Sequence, residues 1–423
     1  MNLSRRQVLR LALLGGAAGY VVKGVGQNGK DAMDGHQLYN SVVQYANFGF
    51  HQTATPADLA TANWLATRLS AAGFDTRKVP FSLQQFFLEQ HRLTVNGESM
   101  VAYPLWWPRT GECRGDLVRV QGTGSPRNLA GKVALVEVNT RGASVLRSGG
   151  QRGLITSLLE QGAVGVLALT PHPSGELVAL NAMDGLEPRP APVMLVGSRV
   201  ADQLKDGDRV SMQIAGQLEP AARAYEVVGH YEGAPGKPEW VISTPASGWF
   251  QCAGERGPGI ALWLAMAEWI GATRPPVNVT MVASSAHELN GVGIRHFVDH
   301  DAPAPERVGQ WLHLGAGIAT WHYETNPWKR TDKVSRLRAV MTNQAAMMPR
   351  LEAALAPLAI APRLTSTPGG EMVLMAERGY PVWGFAGGSA HHHLMTDTPA
   401  QITGPEMLAE AGHAVLEIAA GGI

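Results

Sequence analysis

The stretch between residues 239 and 288 decides the fold of this chain. It contains a short apolar run, Trp240-Val241-Ile242-Ser243, then a helical pattern from about Gly259 to Ile270, and then a second apolar run from Val277 to Val282. Buried strands that alternate with helices indicate βαβ units and a largely parallel sheet. Because ligands bind beside the carboxyl ends of the strands in such sheets, the segments that follow each strand are the first candidates for a functional site.

The residues on either side extend this pattern. Upstream, helical spacing runs from about residue 37 to residue 72, and a strand-like alternation follows at residues 76–81. Between about residues 98 and 220, short β runs with turns indicate a separate inserted module that is rich in β-structure. The sequence therefore predicts a mixed α/β fold with helices on both faces of a largely parallel sheet, divided into an N-terminal segment (1–30), an α/β domain (31–97 and 221–423) and a β-rich insert (98–220).

The composition excludes several classes of protein. The chain has 423 residues, of which 45% are hydrophobic and 17% are charged, so it can bury a sizeable core. Its 35 basic and 35 acidic residues balance, and without a basic excess we expect no nucleic-acid partner. Two cysteines, Cys113 and Cys252, exclude a disulfide-rich scaffold but leave one bridge between them open in an oxidising compartment. Any metal must be held mainly by His and carboxylates.

The N-terminus resembles an export signal. Ser4-Arg5-Arg6-Gln7-Val8-Leu9 precedes an apolar stretch from Leu11 to Val22, which is the pattern of a twin-arginine signal. An amphipathic helix that begins with two neighbouring arginines is the alternative. The apolar stretch is shorter than the ~20 residues that a membrane span needs, and no later segment qualifies. We therefore expect a periplasmic or otherwise exported protein with no integral span beyond the signal segment.

Four segments with metal-ligating side chains follow or overlap predicted strands. They are Cys252–Glu255, Ala286-His287-Glu288, Trp311–Gly315 with His313, and Ala390–Thr398 with its three adjacent histidines. Each is weak alone, because a glutamate at a strand end is often a solvated cap and a histidine in an apolar run is often a core residue. Together, at one edge of one sheet, they predict a His/carboxylate site for zinc or a related divalent ion.

The order of these motifs resembles that of the zinc aminopeptidase family, which includes glutamate carboxypeptidase, transferrin receptor and the glutaminyl cyclases. The resemblance covers nearly all of the chain after the N-terminal segment. It is carried by Phe48–Pro56 and Asn63–Leu65 (opening helix), Gly131–Val136, Gln161–Val166 and Ala191–Met194 (protease-associated domain), Ala286–Gly293 (paired-glutamate motif) and His393 with Asp397-Thr398 (closing histidine motif). It implies a zinc-exopeptidase-like fold in which residues 98–220 form an inserted protease-associated domain.

By this resemblance, Glu255, Glu288 and His393 hold one zinc ion. The ligands of the family's second zinc fall on Pro245-Ala246-Ser247 and on His313. One ion is therefore expected rather than two, with another divalent metal as an alternative to zinc. His313 is expected to be a fourth ligand or to orient the substrate.

The family's general base, a glutamate, corresponds to His287 in this sequence. Three interpretations follow: His287 is the base, His287 is an extra ligand, or the fold is kept for binding after catalysis was lost. Asp397 is predicted to support His393, although Asp-Thr-Pro is equally a helix-capping turn. The aromatic residues Trp249, Trp321 and Tyr323 are candidates for a substrate pocket, with core packing as the alternative.

These expectations combine into a metal-dependent hydrolase of the zinc aminopeptidase type, which acts on a peptide or amide bond of a small substrate. The alternatives are an acyltransferase of the glutaminyl cyclase kind, which keeps a single-metal set of Asp, Glu and His, and a catalytically inactive relative that acts as a binding protein.

Overall fold

The computed structural model describes residues 31–121, 128–140 and 149–421. The predicted export signal, within residues 1–30, lies outside the described residues. Within the described residues, no helix combines the length and the apolar character that a membrane span requires.

The described residues form ten α-helices and five short 3₁₀ helices. The α-helices are α1 (Gly35–Ala46), α2 (Pro56–Ala71), α3 (Gly149–Glu160), α4 (Ser198–Ala201), α5 (Gly257–Thr273), α6 (Val292–His300), α7 (Met348–Leu355), α8 (Met372–Glu377), α9 (Pro399–Ile402) and α10 (Pro405–Ala420). The 3₁₀ helices are Asp31–Met33, His287–Leu289, Pro305–Arg307, Ala345–Met347 and Ala356–Leu358.

The strands of the described residues form one large sheet and one hairpin. They are β1 (Asp75–Val95), β2 (Glu98–Met100), β3 (Tyr103–Pro104), β4 (Gly111–Val120), β5 (Lys132–Glu137), β6 (Gly165–Leu169), β7 (Val193–Val196), β8 (Arg209–Tyr231), β9 (Glu239–Pro245), β10 (Asn278–Ser284), β11 (Val308–Leu314), β12 (Trp321–Thr325), β13 (Trp328–Val334), β14 (Val340–Thr342), β15 (Arg363–Leu364) and β16 (Val382–Phe385).

The large sheet has fourteen strands in the order β15-β14-β16-β11-β9-β10-β8-β4-β5-β6-β7-β3, with β1 paired to β8 and β2 paired to β1. Its centre is parallel, because β10 and β11 flank β9 in the same direction and β16 continues beside β11. The carboxyl ends of these four strands therefore meet at one edge of the sheet.

Helices cover both faces of this central region. Successive residues of one strand point to opposite faces: Ile242 packs in a core with α1, α2, α5 and α10, and Val241 packs in a second core with α6 and α8. Burial on both faces explains why these strands are continuously apolar in sequence. The predicted fold class, a mixed α/β fold with helices on both faces, is confirmed.

Two long strands, β1 and β8, join the parallel centre to the rest of the sheet. They have 21 and 23 residues and pair antiparallel along almost their whole length. The sequence predicted a strand only over residues 76–81, because Pro80 and the polar residues beyond it interrupt the alternation. Strands β4–β7 lie on the far side of β8 in the same sheet. The assignment of residues 98–220 to a protease-associated domain stays a prediction.

The two cysteines are free, so the bridge that the sequence left open is not formed. Cys113 lies on β4, and its thiol sits beside Gly165 and Met212. Cys252 lies in the loop after β9, where its Sγ donates to the carbonyl oxygen of Trp249. The two residues thus belong to different cores of the protein.

The opening motif braces the end of β10. Thr55 is the N-cap of α2, and the carboxylate of Asp58 accepts from the backbone N–H of Ala54 and the hydroxyl of Ser285. The Thr53 hydroxyl also accepts from the backbone N–H of Ala286. These bonds fix the turn that leads from β10 into the His287-Glu288 segment. Because Asp58 is buried, its pKa is raised to about 7.

Replacing Asp58→Asn is expected to flatten the pH dependence of stability. The native carboxyl keeps its proton at a pH where the unfolded carboxyl, with a pKa of 3.8, releases it. The contribution of Asp58 to the free energy of unfolding is therefore complete at low pH. It is lost as the pH rises from about 4 to about 7, where the free energy of unfolding falls by about 1 kcal/mol per pH unit. Urea unfolding at pH 5 and pH 7 measures this slope in both proteins. The exposed Asp184→Asn is the matched control, and an unchanged slope in Asp58→Asn contradicts the assignment.

Candidate metal centre

A cavity of about 710 Å³ opens at the edge where the parallel strands end. The loops after β9, β10, β11 and β16 contribute side chains to its wall, and residues between β5 and β7 contribute others. Its polar lining includes Glu255, Arg256, His287, His313, Glu371, His392, His172 and Asn181. The cavity thus collects all four segments that the sequence singled out, as expected for the carboxyl edge of a parallel sheet.

Three ligand atoms converge beside this cavity, two from its lining residues Glu255 and His392 and one from the adjacent His393. Oε1 of Glu255 lies 3.3 Å from Nε2 of His393 and 3.7 Å from Nε2 of His392. All three atoms lie within 4.8 Å of one another, and the residues are buried or nearly so. This cluster brings together two residues that the sequence predicted as ligands, Glu255 and His393, and adds His392.

His393 is held in one orientation by the backbone. Its Nδ1 donates to the carbonyl oxygen of Ala179, at 2.8 Å. Because a carbonyl oxygen can only accept, Nδ1 carries a proton, and in the neutral form of the ring the free lone pair is on Nε2. Burial would lower the pKa of His393, but the Glu255 carboxylate raises it. Nε2 is buried and makes no hydrogen bond. The backbone of His393 has a φ of 61°, a strained conformation that tertiary contacts must impose.

Glu255 is positioned by Asp397. The two carboxylate oxygens of Asp397 accept from the backbone N–H groups of Gly254, at 2.6 Å, and Glu255, at 3.1 Å. A side chain at Gly254 would collide with Ile402 and with this carboxylate. The sequence predicted that Asp397 supports His393, but Ala179 fills that role and Asp397 supports the Glu255 loop. Burial raises the pKa of Asp397 to about 7.

A buried arginine occupies the space between the two predicted carboxylate ligands. Arg256 is 1% exposed, and its Nη2 lies 2.6 Å from Oε1 of Glu288 and 2.8 Å from Oε1 of Glu255. The contact with Glu288 is a hydrogen bond, and the contact with Glu255 is an ion pair without hydrogen-bond alignment. Oε2 of Glu288 accepts from the hydroxyl of Ser247, at 2.9 Å. Both oxygens of Glu288 are therefore engaged, and this predicted ligand lies outside the three-atom cluster.

The electrostatics of the centre follow from Arg256. Burial opposes ionisation of Glu255, but the adjacent guanidinium and the two histidines outweigh it and hold the pKa of Glu255 well below its usual range. The two carboxylates likewise keep Arg256 charged, since they raise its pKa although burial would lower it. Burial lowers the pKa of His392 to about 3, so its imidazole is neutral.

A second pair of side chains faces the same cavity. Nδ1 of His287 lies 2.8 Å from Oε1 of Glu371, which is 5% exposed. Burial would raise the pKa of Glu371, but the hydrogen bond from His287 and the nearby positive charges lower it, so the group stays ionised. Sequence reasoning missed Glu371, because it follows Gly369-Gly370 before α8 rather than a strand end.

His313 is buried beside this pair and outside the ligand cluster. Its Nδ1 is 2.9 Å from the hydroxyl of Ser243 and 4.0 Å from Oε2 of Glu371. Burial lowers its pKa to about 4, so it is a neutral ring. The geometry does not place it as the fourth ligand of the cluster.

The three aromatic residues predicted to form the substrate pocket do not line the cavity. Trp249 is 3% exposed and donates to the side-chain oxygen of Asn181. Trp321 donates to the carbonyl oxygen of Thr403, and the Tyr323 hydroxyl donates to the carbonyl oxygen of Gln401. All three pack within the protein, so the alternative of core packing describes them.

The segment before β7 helps to hold the centre together. The backbone N–H of Ala179 donates to the carbonyl oxygen of His393, and that of Ala182 donates to the carbonyl oxygen of Glu288. This segment therefore contacts both site loops and also provides the oxygen that orients the His393 ring.

The chain matches no protein-family model and no curated protein sequence. Its fold, however, is similar to those of solved peptidases. A peptidase M28 precursor from Shewanella amazonensis superposes with a TM-score of 0.73 at 17% identity over 92% of this chain and 93% of that chain. A zinc aminopeptidase from Bacillus subtilis gives 0.71 at 15% identity over 95% and 96%, and an aminopeptidase from an Aneurinibacillus strain gives 0.59 at 15% over 92% and 94%. The zinc-exopeptidase fold implied by the motifs is thus confirmed.

Arg256→Met is expected to lower the free energy of unfolding by about 3–5 kcal/mol, because it leaves two buried carboxylates without their cation. The double variant Arg256→Met/Glu288→Gln removes one of those charges and should recover part of the loss. Urea unfolding in the presence of a chelator measures both. Arg295→Met, an exposed arginine that lines the same cavity, is the control. Equal losses in the single and double variants would show that the ion pairs are not coupled.

Proposed function

We propose that the protein is a hydrolase that acts on a peptide or amide bond with one divalent metal ion, held by Glu255, His392 and His393. The observation that carries this proposal is the convergence of three ligand atoms, two of them from residues that line a cavity large enough for a small substrate. The similarity in fold to zinc aminopeptidases supports it.

The residues present fit such an ion. Two imidazoles and one carboxylate are a common set for catalytic zinc, which keeps a further position open for water or substrate. Oε1 of Glu255 and Nε2 of His393 are buried without a hydrogen-bond partner, and a cation would satisfy both. In this set His392 takes the place that the family resemblance gave to Glu288. Zinc is the first choice for these ligands, and other divalent ions are accommodated by the same donors.

The protein side of the reaction is supplied by His287 and Glu371. A divalent ion held by Glu255, His392 and His393 would polarise a carbonyl group and acidify a bound water molecule. Because the ionised Glu371 can only accept, it fixes the proton of His287 on Nδ1 and leaves Nε2 as the basic nitrogen. His287 then takes a proton from the attacking water and returns it to the leaving amine, as a general base and general acid.

A binding protein without catalytic activity is the second candidate, and Arg256 favours it. Its guanidinium already compensates the two carboxylates that the family resemblance assigned to the metal. In that case the cavity would bind its ligand through the polar wall alone.

We also propose that the protein is exported by the twin-arginine route. The proposal rests on the Arg5-Arg6 pair and the apolar stretch that follows it.

Elemental analysis of the purified protein is expected to find about one zinc or related ion at this centre per chain. Glu255→Gln and His393→Ala should lose that ion, because each removes a ligand. Glu288→Gln should keep it, since Glu288 bonds Arg256 and Ser247 instead. Loss of the ion in Glu288→Gln would support the ligand set that the sequence suggested. Absence of the ion from the wild type would favour a binding protein without catalytic activity.

His287→Ala is expected to lower kcat by about 10²–10⁴-fold without loss of the ion, because it removes the base and no ligand. Glu371→Gln should also lower kcat, since an amide does not fix the proton on Nδ1. Aminoacyl amides and peptides with N-terminal glutamine serve as substrates, and product analysis separates hydrolysis from cyclisation. The exposed His413→Ala is the control. Turnover that survives in His287→Ala excludes it as the base.

A further inference from the structure

A second group of ligand-type side chains lies outside the cavity. Glu226 is on β8, His296 is on α6, and Asp301 follows the last turn of α6. One carboxylate oxygen from each acid and one ring nitrogen of His296 lie within 4.8 Å of one another. None of the three residues lines the candidate metal centre. We propose that this group binds a divalent transition-metal ion such as Zn²⁺, which fastens the C-terminal end of α6 to β8.

Glu226 is the strongest indication of a ligand. The residue is 0% exposed, and neither of its carboxylate oxygens has a hydrogen-bond partner. A buried carboxyl without partners is costly, so such groups are normally hydrogen-bonded, paired with a charge or bound to a metal. Burial raises the pKa of Glu226 to about 9. Without a bound cation, the carboxyl group therefore holds its proton.

His296 completes the approach from the opposite side. Its Nδ1 lies 3.3 Å from Oε1 of Glu226, is buried, and makes no hydrogen bond. Burial lowers the pKa of His296, and this shift favours the neutral ring. A neutral imidazole is the form that binds a metal. The ring also stacks on Phe81, which limits its rotation.

The surroundings favour a cation. α6 ends at His300, and the carbonyl groups of the last turn give this end of the helix a partial negative charge. Asp301 adds a carboxylate that is only partly compensated by its exposed ion pair with Arg77, at 2.7 Å. One imidazole and two carboxylates are donors that suit Zn²⁺ and related ions, and water can fill the remaining positions.

The position gives the ion a structural role. α6 starts directly after the segment that carries His287 and Glu288, His296 lies in its middle, and Asp301 follows its last residue. An ion bound by these residues and by Glu226 would cross-link α6 to the long strand β8. The inference does not depend on the proposed hydrolase function, because no residue is shared between the two groups.

The test counts Zn²⁺ ions in the metal-stripped, reloaded full-length protein and measures the thermal midpoint with and without Zn²⁺. We expect two ions per chain, with one fewer in Glu226→Gln and in His296→Ala. In the His393→Ala protein, which lacks the cavity centre, Zn²⁺ should still raise the midpoint, and adding Glu226→Gln should abolish that rise. The exposed Glu232→Gln and His413→Ala are matched controls that should bind as the wild type does.

The outcomes separate this inference from the proposed function. If the wild type binds one ion, and that ion is lost in Glu226→Gln but kept in His393→Ala, the result supports this site and contradicts the cavity centre. If the single ion is instead kept in Glu226→Gln and lost in His393→Ala, the result overturns this site and supports the cavity centre. A failure to bind any Zn²⁺ overturns both. Because Gln matches Glu in shape, and His296→Ala is an independent variant, loss of binding through misfolding is recognised by a changed circular dichroism spectrum.

Discussion

The buried guanidinium of Arg256, between Glu255 and Glu288, is the interaction on which the rest of the centre depends. Three charges out of water are costly unless they are paired and hydrogen-bonded. Arg256 pairs with both carboxylates and donates from Nε to the carbonyl oxygen of Ser247, whose hydroxyl in turn donates to Glu288. The loops after β9 and β10 must therefore hold fixed positions relative to each other. The same constraint removes Glu288 from the set of free ligands and leaves Glu255 shared between a guanidinium and two histidines.

This arrangement explains how a chain with the zinc-exopeptidase fold can lack much of the family's ligand set. Arg256 provides one permanent positive charge where the resemblance places a metal held by both glutamates. One carboxylate oxygen and two imidazoles remain as three donors for one ion, and His287 with Glu371 lines the same cavity. Part of the negative charge beside the cavity is therefore balanced by the protein itself.

The sequence predicted the fold well because its strongest signals are local: two apolar strands around a helix, and polar residues after each strand. It singled out Glu255, His287 and His393 for the same reason, and their assignment to a site stays a prediction. It missed Arg256 and Glu371, since adjacency in sequence does not reveal that a guanidinium turns inward, and Glu371 follows no strand end. The aromatic residues were misassigned as pocket walls because the size of a side chain says nothing about which cavity it faces. Likewise, only the folded structure shows that Asp397 holds the Glu255 loop.

The segment from residue 285 to residue 301 links the two groups of ligand-type residues. Asp58 and Thr53 fix its start through Ser285 and Ala286, the 3₁₀ turn His287–Leu289 follows, and α6 leads from there to His296 and Asp301. α6 packs through Ile294 and Phe297 against the sheet, so it behaves as part of the core rather than as a loose connection. A cation that ties its far end to β8 would restrict the helix at both ends. The position of His287 against Glu371 would then be held from three directions: the opening motif, the helix and the sheet.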